Sequence, residues 1–255
     1  MPRPLSVQLY TVRDQLVADR EGTLRRLAGL GYGAVEAYDV LGDPKGLRRV
    51  VEDLGLTVSG THAVQLLGPE PEHVLDAVRT LGTDVAIVPA GIPPEEFTSR
   101  DGLARTADRL NSLAALARRH GVRIGYHNHW WEIEPRFGGD EAEAPHAVDV
   151  LAGLLDPDVF LEIDTYWAAV GGADVPGLLR RLGDRVRALH LKDGPGTRED
   201  PNVAVGGGTM PVPEILAAAP DAWRIVEFDS CAGDADALFG ELAASHAYLA
   251  TLEAL

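Results

Sequence analysis

The sequence predicts an α/β fold, a single-domain (β/α)8 barrel of the TIM-barrel type over residues 1–255. Three observations carry that expectation. Short apolar, β-branched runs alternate eight times with longer stretches of helical periodicity. The runs are too uniformly apolar for a sheet with one wet face, so the sheet is parallel and the helices coat it. A length of 255 residues is ordinary for eight such units.

In chain order the strand candidates are Leu5–Tyr10, Ala34–Tyr38, Thr57–His62, Asp84–Pro89, Val122–Asn128, Val159–Asp164, Ala188–Lys192 and Trp223–Phe228. The helix candidates are Arg20–Leu30, Gly46–Leu54, Glu72–Leu81, Leu103–His120, Ala144–Leu155, Pro176–Leu182, Pro213–Ala219 and Ala235–Leu252. Gly31, Gly55, Gly82 and Gly121 stand where a left-handed residue closes a helix. A doubly wound open sheet is the rival arrangement of the same units. Its glycine-rich dinucleotide fingerprint is missing after the first strand, where Tyr10-Thr11-Val12-Arg13-Asp14 stands, and the closed barrel is favoured. The Gly138–Glu143 and Gly194–Gly208 stretches read as long βα loops, which in a barrel build the active-site face.

Composition narrows the function classes. A net charge of −16 opposes binding to nucleic acid or to anionic lipid, both of which need clustered Lys and Arg. A lone cysteine, Cys231, excludes an intramolecular disulfide and any paired-thiol metal or redox motif. The start of the chain carries no apolar signal segment, and no run of about 18 apolar residues occurs. The expected setting is therefore the cytoplasm, with no membrane partner.

The ionisable residues gather at the C-terminal ends of the strand candidates. His62 closes the third; His127, Asn128 and His129 the fifth; Asp164 the sixth; His190 and Lys192 the seventh; Glu227 the eighth. Each alone has a plainer explanation. His62 or His190 could be a hydrogen-bonded core histidine, Asp164 a turn cap, Glu227 a surface carboxylate, and Lys192-Asp193 a solvated turn. Four successive strand ends with metal-type side chains have no packing reason, and a divalent cation would neutralise them at one barrel mouth.

The segments Tyr126-His127-Asn128-His129-Trp130-Trp131-Glu132, Leu161-Glu162-Ile163-Asp164-Thr165-Tyr166-Trp167 and Leu189-His190-Leu191-Lys192-Asp193-Gly194, with Val226-Glu227-Phe228, resemble the xylose-isomerase-like sugar phosphate isomerase/epimerase superfamily. The opening Ser6–Asp14 is similar to that family's first strand, so the resemblance covers the chain. It implies one divalent metal ion (Mn, Co, Zn, Fe or Mg) held by His127, Asp164, His190 and Glu227. It also implies a small keto-sugar, sugar-phosphate or polyol substrate, handled by α-proton abstraction and a metal-stabilised enediolate. Glu227 would be ligand and acid/base group, with Glu132, His129 and Lys192 as candidates for the second proton. His62 and Tyr10 would orient hydroxyls. Trp130, Trp131 and Trp167 would form a stacking wall, though core packing explains Trp167 equally well.

Strand five departs from the epimerase pattern, which has Glu where His127 stands. The departure brings the site closer to the inosose dehydratases and leaves Glu132 as an alternative strand-five ligand. Trp167 replaces a histidine that a multi-zinc endonuclease would need, which again argues against nucleic acid. The alternatives are an inosose-type keto-polyol dehydratase and a noncatalytic sugar-binding barrel. Gly206-Gly207-Gly208 reads as a flexible loop more readily than as a phosphate cradle. Assembly into a homo-oligomer stays open.

Overall fold

The computed structural model describes residues 3–138 and 144–253. The Gly138–Glu143 loop therefore lies outside the described residues beyond Gly138. The strands are β1 Ser6–Gln8, β2 Ala34–Ala37, β3 Thr57–His62, β4 Val85–Val88, β5 Arg123–His127, β6 Phe160–Asp164, β7 Val186–Leu191 and β8 Trp223–Val226. All pair in parallel with their chain neighbours, and β1 also pairs with β8, which closes the barrel.

The helices are α1 Arg13–Ala18, α2 Arg20–Gly29, α3 Pro44–Asp53, α4 Pro71–Leu81, α5 Arg100–Arg119, α6 Ala147–Leu154, α7 Thr165–Val170, α8 Val175–Leu182, α9 Val212–Ala218 and α10 Ala235–Glu253. Two of them depart from the one-helix-per-unit pattern. The short α1 lies between β1 and α2, and ends where Asp19 takes an extended conformation and accepts the Gly22 N–H to cap α2. The short α7 starts directly at Asp164, whose Oδ1 accepts the Trp167 N–H at 2.9 Å. β1 stops at Gln8 because a 3-10 turn, Leu9–Val12, begins there with Gln8 accepting the Tyr10 N–H. Gly31, Gly55, Gly82 and Gly121 have φ of +103°, +71°, +96° and +67°, as helix-closing residues require.

Strand alternation sorts the side chains into two environments. Val7, Val35, Tyr126, Leu161, Ile163, Leu189, Leu191 and Val226 face outward and join the main apolar cluster beneath the helices. α5 contributes Leu103, Ala107, Leu110, Ala114 and Ala117 at helical spacing, and Ser99 caps it by accepting the Gly102 N–H. Each fully buried Leu or Val contributes about 1.5–3 kcal/mol by leaving water. The other set faces the barrel axis, and it is largely polar: Ser6, Gln8, Glu36, Ser59, His127, Glu162, Asp164 and His190 are all buried. Gly125 belongs to this set for a steric reason, since a Cβ there would stand 2.3 Å from the Phe160 ring. Register shifts fall between Val35 and Glu36 and between Leu161 and Glu162, the kind of irregularity that re-aims a side chain. Among the described residues no helix is long and apolar enough to cross a membrane.

Candidate metal centre

His127 ends β5, Asp164 ends β6, His190 lies near the end of β7, and Glu227 follows β8. Their side chains meet at the C-terminal mouth, each with a donor atom within 4.8 Å of the others'. All four are buried. His62 comes from β3 to join them, its ring stacked on His190 at 5.2 Å and tilted against His127 at 5.0 Å.

Beneath this group lie two carboxylates that the strand-end pattern did not single out as site residues, Glu36 and Glu162. Glu36 Oε2 lies 2.7 Å from His190 Nε2 and accepts Gln8 Nε2 at 2.7 Å. Glu162 Oε2 lies 2.8 Å from His62 Nε2 and 3.1 Å from His127 Nδ1. Burial pushes Glu36 up to about 7, with the Glu162 charge adding to it, and burial likewise raises Glu162. The signal in the sequence is a carboxylate inside an apolar strand at inward parity, as Glu162 is two residues before Asp164.

Lys192 and Asp229 complete the mouth. Lys192 Nζ is 2.8 Å from Asp164 Oδ2, 2.9 Å from Glu227 Oε2 and 2.7 Å from Asp229 Oδ2. Burial opposes the charge on Lys192, but Asp164, Glu227 and Asp229 outweigh it and hold the ammonium well above its ordinary range. Burial likewise opposes protonation of His190, yet Glu162, Glu227 and Glu36 raise it well above the usual imidazole value. For Glu227 the balance runs the other way, since Lys192 and His190 override burial and hold the carboxylate well below its ordinary value. Burial pushes Asp164 up to about 6 against the pull of Lys192.

The donor set suits a divalent cation. It offers two carboxylates and two imidazoles, ligands shared by Mn, Fe, Co and Zn. Asp164 Oδ2 is buried without an aligned hydrogen bond, its close neighbour being the Lys192 ammonium, so it has lone-pair capacity to spare.

Glu132 lies apart from the donor set. Its Oε1 accepts the Tyr126 hydroxyl at 2.6 Å and its Oε2 accepts the His129 N–H at 2.8 Å, while burial pushes it up to about 7. The outward parity of Tyr126 on β5 explains this placement. His129 stacks on Trp131 at 4.2 Å, and burial followed by the Lys192 charge pushes its imidazole down to about 3. His129 Nδ1 is buried without a hydrogen-bond partner, and the Trp131 side chain lies close enough to Glu132 to help hold its carboxylate. Burial also pushes His62 down to about 4. Trp167 is only 8% exposed, packed against Trp130 at 4.8 Å with Lys192 Nζ 5.7 Å from its ring. Tyr10 is 40% exposed, edge-on to Tyr38 at 5.6 Å and covered by Arg13.

The glycine loop after β7 is spoken for by Asp193. That carboxylate accepts the N–H groups of Gly194, Gly206 and Met210, and the Gly207 N–H bonds to Ala204 O. Two of the amides a phosphate cradle would need are thereby occupied.

Comparison with known proteins places this architecture. The xylose isomerase-like TIM barrel family matches residues 24–230, and the chain belongs to that family. It is 28% identical over 198 residues to an inosose dehydratase from Geobacillus kaustophilus, a match covering 68% of this chain and 62% of that protein. The chain thus matches less than two thirds of that relative's length. Among solved structures, a sugar phosphate isomerase/epimerase from Parabacteroides distasonis superposes with a TM-score of 0.78 at 22% identity, covering 98% of this chain and 94% of the other. A xylose isomerase-like TIM barrel protein from Mycobacterium smegmatis in complex with magnesium gives 0.66 at 14% identity, covering 98% and 96%.

Proposed function

We propose that this chain is a divalent-metal-dependent isomerase or epimerase that moves a proton on the carbon next to a carbonyl of a small keto-sugar or keto-polyol. The observation that carries the reading is the meeting, at one barrel mouth, of a four-donor set with a buried ammonium that contacts two of its carboxylates. His127, Asp164, His190 and Glu227 would hold the cation, which supplies Lewis acidity when bound. Glu227 Oε2 is engaged by Lys192 and His190, so its second oxygen serves the substrate C–H. Lys192, held charged by three carboxylates, supplies the returning proton. His129 uses its unpartnered Nδ1 to orient a hydroxyl. Glu132 acts through His129 and Tyr126 as a positioning residue.

A second reading is dehydration of a keto-polyol, favoured by His127 at the strand-five position and by the inosose dehydratase relative. The first half is common to both readings. The α C–H bond breaks with its proton passing to Glu227, then the β C–O bond breaks and the hydroxyl leaves as water with a proton from Lys192.

The test is incubation of the metal-loaded protein in D2O with keto-sugars, their phosphates and keto-inositols, followed by NMR of the recovered compounds. Deuterium at the α-carbon with an epimer or isomer supports the first reading, and loss of water supports the second. Binding without exchange on any member of the panel would return the chain to a noncatalytic sugar-binding barrel.

A further inference from the structure

We infer that Glu36 and Glu162 form a carboxylate floor that fixes opposite tautomers of His190 and His127, so that one presents Nδ1 and the other Nε2 to the same cation. The inference rests on the metal-centre reading above and says which atoms make it work.

The geometry is read from both faces of each ring. His190 has Nε2 2.7 Å from Glu36 Oε2 and 3.3 Å from Glu162 Oε2, while its Nδ1 is 2.5 Å from Glu227 Oε2. His127 is turned the other way, with Nδ1 3.1 Å from Glu162 Oε2 and Nε2 3.9 Å from Asp164 Oδ2. Glu227 and Asp164 belong to the donor set, and Glu36 and Glu162 lie behind it. A neutral imidazole carries one proton, and a carboxylate behind the ring keeps that proton on the nitrogen facing it. With a cation bound, His190 would therefore keep Nε2–H on Glu36 and offer the Nδ1 lone pair, while His127 would keep Nδ1–H on Glu162 and offer the Nε2 lone pair.

The floor is itself fixed in place. Gln8 donates to Glu36, His62 lies against Glu162, and both strands shift register where these residues enter the barrel. Both carboxylates are at most 1% exposed, so water cannot take over the acceptor role. Ligand-orienting partners of this kind are worth about 10- to 100-fold in metal affinity.

Zn2+ is the probe, because it is diamagnetic. The protein labelled with 15N-histidine and loaded with Zn2+ should show His190 coordinated through Nδ1 and His127 through Nε2, each with its proton on the other nitrogen. Calorimetric titration with Zn2+ should give unchanged stoichiometry and about 10- to 100-fold weaker binding for Glu36→Gln and for Glu162→Gln. Coordination of both rings through the same nitrogen, the reversed pattern with His190 through Nε2 and His127 through Nδ1, or variants that bind as tightly as the parent, would overturn the inference while leaving a metal centre at this mouth standing. A parent protein that takes up no Zn2+, Mn2+ or Co2+ would instead remove the reading beneath it. The parent spectrum needs no variant, so the test survives a substitution that fails to fold.

Discussion

Lys192 and Asp164 meet at the C-terminal end of the β6–β7 pair, with Nζ 2.8 Å from Oδ2, so a buried ammonium sits directly on a buried carboxylate of the four-residue cluster. Without a metal ion it is, with His190, the positive charge that offsets Asp164 and Glu227. Lys192→Met should leave both carboxylates short of a partner and cost about 3–5 kcal/mol, the usual loss when one member of a buried pair is removed. Melting curves with and without Mn2+ check this. The metal-free variant should melt well below the parent, and Mn2+ should raise its midpoint by more than it raises the parent's. Equal metal-free midpoints would show that Lys192 does not balance the site.

His127→Ala and Glu132→Gln should separate cleanly. His127 belongs to the donor set, so its loss should lower metal content in the purified protein. Glu132 has both oxygens on Tyr126 and the His129 amide, so a Gln there should keep the metal and slow turnover. Metal analysis and initial rates on both variants decide it. A Glu132→Gln protein that loses its metal would make Glu132 a ligand.

The same Glu132 gives a pH signature. Its folded value of about 7 lies above its ordinary value of 4.5, so the folded chain binds its proton more tightly than the unfolded chain. Stability from this group is full below 4.5 and is lost as pH rises to about 7. A shift of this size corresponds to about 3 kcal/mol. Glu132→Gln lacks the titration, so its stability relative to the parent should climb between pH 5 and 8 in urea unfolding. A parallel pair of pH curves would refute the assignment.

Asp193→Ala should loosen the loop after β7. It removes the acceptor for the Gly194, Gly206 and Met210 N–H groups, and of these Gly194 and Met210 are buried, where a donor left unpaired costs about 1–3 kcal/mol. The expected outcome is a lower urea midpoint together with faster amide exchange over residues 194–210. Midpoint and exchange both matching the parent would mean that the loop holds itself.

The barrel and the convergence of His127, Asp164, His190 and Glu227 were legible in the sequence because both follow from one-dimensional rules. Apolar runs alternating with helical periodicity specify parallel strands coated by helices, and in a parallel barrel every strand ends at the same mouth. Metal-type residues at successive strand ends therefore had to converge, wherever the boundaries fell. The rest depended on which strands face each other across the axis. A period of two says that Glu162 and Asp164 share a face, but only the closed barrel and its two register shifts bring Glu36 from β2 and Glu162 from β6 to the same His190. Asp229 and Glu132 lie beyond the strands, where no periodicity operates. Their roles were set by the partners that tertiary packing delivered: an ammonium for Asp229, and a hydroxyl and an amide for Glu132.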